Sequence, residues 1–312
     1  MTRLRLALFA LPLLVGLAPV AAQPDKKADL GFTRTEDVIY GRKFGTALTL
    51  DVFAPKKANG AAVVWCVSGG WFSNHDSINA GFVKPFLDRG YTVFAVVHGS
   101  QPRFSIPEVL DDMHRAVRFI RANADKYGID KDRIGISGAS AGGHLSLMQG
   151  VAPRPGDPLA KDKVQQESSK VAAVACFFPP TDFLNYGKEG EIALGNGTLK
   201  GFRAPFAFVE FDNDTKSYVT ITDETKRNAI GKQISPVYHA TKDSAPALVI
   251  HGDADKLVPI QQAELMVAAY KAAGAKAELV VKPGAAHGWA GIDQDIAKFV
   301  DWFDEHLAAR RR

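Results

Sequence analysis

The run Arg133-Ile134-Gly135-Ile136-Ser137-Gly138-Ala139-Ser140-Ala141-Gly142-Gly143-His144 is the stretch on which the fold turns. Its first residues, 133–137, read as a short buried strand, and 141–150 read as a helix. Between them Gly138-Ala139-Ser140-Ala141-Gly142 fits Gly-x-Ser-x-Gly, a sharp strand-to-helix turn that holds a serine on strained backbone. Glycines flank such a serine because side chains there would strike the crossing strand and helix. Ser140 is therefore the candidate nucleophile. Its hydroxyl stands clear of the sheet, with helix N-terminal N–H groups on one side and room for a base on the other.

Outward from this turn, apolar runs at 63–67, 92–97, 133–136, 171–177, 247–250 and 277–281 suit a sheet covered on both faces. Helical patterns lie between them at 107–127, 260–273 and 292–307; in the first, Val109, Leu110, Met113, Val117, Ile120 and Ala124 recur at helix-like spacing. Residues 33–55 read as an antiparallel hairpin or meander with Gly45 near its turn. The alternation predicts an α/β protein: a mostly parallel, doubly wound central sheet with helices on both faces. Two stretches interrupt it. Residues 153–169 are polar and read as a surface loop, whereas 183–233 are too long for structureless chain and are expected to form a small cap or lid insertion. The aromatic residues of the insertion, Phe202, Phe206, Phe208, Phe211 and Tyr218, either pack its own core or line a substrate pocket.

A serine nucleophile needs a base and an acid, in the chain order Ser, Asp or Glu, His for this architecture. The strand at 247–250 runs into His251-Gly252-Asp253-Ala254-Asp255-Lys256-Leu257-Val258-Pro259, and the strand at 277–281 into Pro283-Gly284-Ala285-Ala286-His287-Gly288-Trp289. Both loops leave the C-terminal ends of strands, where open α/β sheets gather their sites. His287 is the expected base. Asp255, deeper in its loop and just before Leu257-Val258-Pro259, is the expected acid, and Asp253 is expected to cap the turn through nearby N–H groups. The loop Ser68-Gly69-Gly70-Trp71 after the strand at 63–67 supplies candidate oxyanion donors Gly69 and Gly70, with the N–H of Ala141 as the other. Trp71, Phe72 and Trp289 flank these groups and are the expected substrate walls.

With these residues in view, the chain resembles α/β-hydrolases of the esterase/lipase superfamily, the BD-FAE-like and hormone-sensitive-lipase-like carboxylesterases. The likeness is carried by 48–55, 65–71, 106–144, 235–237, 251–259 and 284–287. It implies the α/β-hydrolase fold, an acyl-enzyme mechanism without cofactor, and short-chain or aryl esters as substrates, with acetyl or feruloyl esters of plant polysaccharide among them. One departure is visible. The family usually has His-Gly-Gly-Gly before the tryptophan, and alignment on Trp71 puts Val67 and Ser68 where the histidine and first glycine stand. The likeness also admits a serine peptidase of the prolyl-oligopeptidase type, although little chain precedes the first strand to hold that class's propeller. A binding protein that has lost its triad is the other alternative, opposed by the presence of Ser140, Asp255 and His287.

The 312 residues, 46% hydrophobic and 23% charged, are ordinary for one soluble catalytic domain, expected over 23–312. The net charge of +4 includes a short basic tail at 310–312 and no basic stripe for nucleic acid. Residues 1–22 read as an export signal: Arg3 and Arg5, an apolar run over 6–17, and Val20-Ala21-Ala22 as a cleavage site before Gln23. A secreted or periplasmic enzyme without a stable membrane anchor is expected, since the apolar run is short and interrupted by Pro12 and Pro19. Cys66 and Cys176, the two cysteines, fall in central strands that should not be neighbours, so two buried thiols are expected. No His, Cys or carboxylate spacing suggests a metal, and His144 reads as a packed residue.

Overall fold

The computed structural model describes residues 31–309. The expected export signal at 1–22, the start of the mature chain at Gln23 and the basic tail at 310–312 lie outside the described residues.

The chain opens with the expected hairpin, β1 (Phe32–Lys43) and β2 (Thr46–Pro55), which turns at Phe44 and Gly45, both with positive φ. There follow β3 (Ala62–Val67), α1 (Ala80–Asp88), β4 (Thr92–Val97), α2 (Ile106–Ala122), the single turn α3 (Ala124–Tyr127), β5 (Ile134–Ala139), α4 (Ala141–Val151) and β6 (Ala173–Phe177). The insertion holds a small hairpin, β7 (Val209–Asp212) and β8 (Ser217–Thr220), and then α5 (Glu224–Gln233). The chain returns to the main sheet with β9 (Ala247–Gly252), α6 (Gln261–Ala273), β10 (Ala277–Lys282) and α7 (Ile296–His306).

Eight strands form one sheet in the order β1-β2-β4-β3-β5-β6-β9-β10. The first two pairings are antiparallel and the rest parallel, as strands joined through helices require. Successive residues of a strand face opposite sides, and β3 shows it plainly. Ala62, Val64 and Cys66 join the core under α2, α4 and α6, while Val63, Trp65 and Val67 join the core under α1 and α7. Burial on both faces explains why these strands read as continuous apolar runs.

Boundaries differ from the sequence reading where a cap intervenes. The helix expected over 107–127 is two, because the backbone leaves helical geometry at Asn123 (φ −113°, ψ 19°), whose side-chain amide donates to the Phe119 carbonyl at 2.8 Å. Its start is fixed by a Ser105–Glu108 capping box with Pro107 in the first turn. The last helix begins at Ile296 rather than 292. β5 lies between β3 and β6, so Cys66 and Cys176 remain free buried thiols. Among the described residues, no helix is long and apolar enough to cross a membrane.

Candidate active site

β5 runs straight into the serine turn. Ser140 has φ 54° and ψ −119°, a strained conformation for a residue with a side chain. The need for glycine around it is geometric. A Cβ on Gly138 would lie 2.6 Å from the Gly142 backbone, and one on Gly142 would lie 2.8 Å from the Cys66 carbonyl oxygen. β5, α4 and the end of β3 thus meet backbone to backbone beneath Ser140. The first N–H of α4, on Ala141, has no protein acceptor among the described residues.

His287 stands on the loop after β10. Its Nε2 lies 2.9 Å from Ser140 Oγ and its Nδ1 2.6 Å from Asp255 Oδ2. A carboxylate accepts only, so Nδ1 carries the proton and Nε2 offers its lone pair to the serine hydroxyl. Asp255, on the loop after β9, is buried. Its Oδ1 accepts the N–H groups of Leu257 and Val258, each at 2.9 Å. Burial alone would raise the carboxyl's pKa. The nearby His251 ring, the hydrogen bond from His287 and the Val258 N–H outweigh burial and hold it well below the usual carboxylate range. The ring of Phe178 covers His287 at 4.4 Å between centroids.

Asp253 does not cap its own turn. Its Oδ1 accepts the Gly284 N–H at 2.6 Å, and the Ala254 N–H donates to the Ala285 carbonyl, so the loop after β9 is stapled to the loop after β10. The contact is close enough that a Cβ on Gly252 would sit 2.2 Å from the Ala285 oxygen.

The loop after β3 is a tight turn in which Gly69 and Phe72 exchange both backbone hydrogen bonds, with left-handed φ at Gly70 (55°) and Trp71 (60°). Gly69 is thereby corrected as a donor, because its N–H is spent on the Phe72 carbonyl. The N–H groups of Gly70 and Trp71 have no protein acceptor among the described residues. Trp71 is also corrected as a substrate wall. It is 2% exposed, packs against Phe183 and Phe206, and donates its indole N–H to His144 Nδ1 at 3.1 Å. His144, packed as expected, donates from Nε2 to the Ile234 carbonyl. Phe72 is 44% exposed. Trp289 is half-buried, braced by its indole bond to Asp295 and by edge contacts with Phe177 and Phe178. Of the insertion's aromatics, Phe206 and Phe208 are core, and Phe211 and Tyr218 are an exposed cross-strand pair. Phe202 lies directly on Gly70, where a Cβ would meet its ring at 2.4 Å.

Three contributors escaped sequence reasoning: His251 behind Asp255, His98 beside Ser68, and Phe178 over His287. His98 carried a signal, a polar residue at the C-terminal end of a buried strand, the edge where sites collect. One group of possible metal ligands, Glu36, Asp51 and His75, also comes together, but Arg34 lies on it, donating to Asp51 at 2.7 Å, and supplies the positive charge.

Sheet order, serine turn and the placement of two loops past β9 and β10 define the class: an α/β-hydrolase fold. Within that class, the chain belongs to the BD-FAE family, whose model matches residues 50–270. It is 28% identical over 73% of its length to the probable carboxylic ester hydrolase LipM of Mycobacterium tuberculosis, and spans about half (49%) of that protein. It is 25% identical to an ethyl acetate hydrolase of Pseudomonas putida, over 93% of this chain and 86% of the relative. Among solved structures, a truncated carbohydrate esterase from gut microbiota superposes with a TM-score of 0.73 at 28% identity, covering 90% of this chain and 99% of that one.

Proposed function

We propose that this protein is a serine carboxylic-ester hydrolase whose triad is Ser140, His287 and Asp255. The observation that carries the reading is the continuous row from Ser140 Oγ through His287 to Asp255, at 2.9 and 2.6 Å. In that row neutral His287 takes the hydroxyl proton as Ser140 attacks the ester carbonyl carbon. Asp255 holds the ring in the required tautomer and stabilises the imidazolium that forms. The tetrahedral oxyanion is met by the unpaired N–H groups of Ala141 and Gly70, donors fixed by the helix start and the tight turn. Collapse expels the alcohol, which receives its proton from His287, and leaves the acyl group on Ser140. Water, deprotonated by His287, then releases the carboxylic acid and restores the serine.

The relatives' names support an ester substrate, and a carbohydrate esterase among the structural neighbours supports acylated sugars as one class. Phe72 in the turn itself, Phe202 against Gly70 and Phe178 on His287 are the aromatic surfaces an acyl or alcohol group would meet. Short acyl chains and aryl esters suit such a site, with acetyl or feruloyl groups on polysaccharide as natural substrates.

The full chain should hydrolyse p-nitrophenyl acetate, and Ser140→Ala should remove on the order of a millionfold of turnover. A fluorophosphonate probe should label the wild type and not the variant. An inert wild type, or a Ser140→Ala variant as active as its parent, would refute the reading. A panel of acyl lengths with acetylated and feruloylated sugars, run beside a prolyl-peptide amide, identifies the substrate class and separates esterase from peptidase.

A further inference from the structure

Ser68 and His98 lie outside the triad, yet they form a second Ser–His contact at the foot of the Gly69–Phe72 turn. Ser68 Oγ is 2.8 Å from His98 Nε2. His98 is 2% exposed, just past the end of β4, and its Nδ1 is 2.7 Å from the Gly99 carbonyl oxygen. A carbonyl can only accept, so Nδ1 carries the proton, Nε2 offers a lone pair, and the Ser68 hydroxyl donates to it. Burial lowers the imidazole's pKa to about 4, which keeps the ring neutral and this polarity fixed near neutral pH.

The pair is one of several ties between the turn at 69–72 and the chain leaving β4. On the far side of the turn, Ser73 Oγ donates to the Val67 carbonyl (2.6 Å) and accepts the His98 N–H (3.2 Å). The Ser73 N–H donates to Ser100 Oγ, and the Gln101 N–H to the Trp71 carbonyl. The β4 exit is itself anchored, since the Gly99 N–H donates to Asp112, which pairs with Lys43 at 2.6 Å. Ser68 is the foot of the turn nearest the nucleophile helix: its carbonyl oxygen lies 3.5 Å from where a Cβ on Gly142 would stand.

We propose that Ser68 and His98 are a positioning pair that fixes the Gly69–Phe72 turn, and with it the Gly70 N–H, in register with the developing oxyanion. This rests on the reading of Gly70 and Ala141 as the oxyanion donors. Neither side chain touches the reacting atoms in this account. Both act through the turn. An oxyanion donor stabilises charge that exists only in the transition state, so loosening it lowers kcat and leaves ground-state binding alone.

The test is steady-state kinetics of the full chain on a short-chain aryl ester, together with the affinity of a trifluoromethyl ketone that adds the serine and mimics the oxyanion. Ser68→Ala is expected to lower kcat by about 10- to 100-fold, part of what deleting one donor costs, with KM within about twofold. Ketone affinity should fall in step with kcat/KM. Ser68→Thr, which keeps the hydroxyl, and His98→Gln, whose amide oxygen can accept from Ser68, should recover most of the rate. His98→Leu should match Ser68→Ala, and the double variant should be no worse than either, because the two act as one unit. Unchanged kcat in Ser68→Ala, additive losses in the double variant, or equal changes in KM and kcat would overturn the pair. An inert wild type would refute the hydrolase reading and this inference together, whereas an active wild type with an unaffected Ser68→Ala refutes the inference alone.

Discussion

Acid should weaken this fold through His144, and the effect can be isolated. The ring, on α4, is wholly buried, accepts the Trp71 indole N–H at Nδ1, and donates from Nε2 to the Ile234 carbonyl at 2.7 Å. Burial lowers its pKa from 6.5 to about 4, only partly opposed by the bond to Ile234. Protonation would set a donor at Nδ1 against the indole donor. Because the folded pKa lies below the unfolded one, the unfolded chain takes up the proton first as pH falls. The contribution is intact above about pH 6.5 and is lost as the pH drops towards 4. Over the whole window it amounts to about 3 kcal/mol, and about 2 kcal/mol is gone at pH 5. Urea denaturation of wild type and His144→Gln at pH 7.5 and pH 5 reads this as a double difference, in which other titrating groups cancel. Glutamine does not titrate in this range, so the wild type's stability relative to the variant should fall by about 2 kcal/mol between pH 7.5 and pH 5. An advantage of the same size at both pH values would refute the argument.

The two aspartates of the acid loop should separate cleanly. Asp255→Asn is expected to lower turnover by about 10⁴-fold, since an amide favours the wrong tautomer of His287. Asp253→Asn keeps an oxygen for the Gly284 N–H and should cost only about tenfold. Steady-state kinetics that reversed the two would reverse the assignment. Gly138→Ala would drive a Cβ into the Gly142 backbone, which cannot move aside. A cost of about 3 kcal/mol or more and a fall in Tm of about 6 °C or more are expected, and an unchanged melting curve would contradict the close approach described above.

How much could be read from the chain alone depended on whether a feature was written in neighbouring residues. The serine turn was legible because Gly138, Ser140 and Gly142 carry the steric demand of the elbow within five positions. The strands were legible because double burial leaves apolar runs, and the two late loops because each directly follows such a run. Asp253 was misread because its partner, Gly284, lies on another strand's loop. Trp71 was misread because an aromatic after two glycines looks like a pocket wall, and only the distant His144 and the insertion's Phe183 and Phe206 make it core. Gly69 looked as free a donor as Gly70 until the Phe72 carbonyl claimed its N–H. Ser68 was visible as a departure from the usual loop, but its partner His98 comes from the next strand of the chain, placed beside it by sheet pairing rather than by sequence.

His287, the proposed base, hangs from an edge strand of the sheet. β10 has a neighbour on one side only, and its residues are half-buried or exposed, whereas every residue of β9 is buried. His287 is thus carried by a thinly buried edge ply, moored to the loop after β9 by its own bond to Asp255 and by the Asp253–Gly284 and Ala254–Ala285 stitches. Warming should therefore peel away reactivity while the bulk of the molecule still holds its shape, so that inactivation is an event of the sheet's hem, preceding the collapse of the whole cloth.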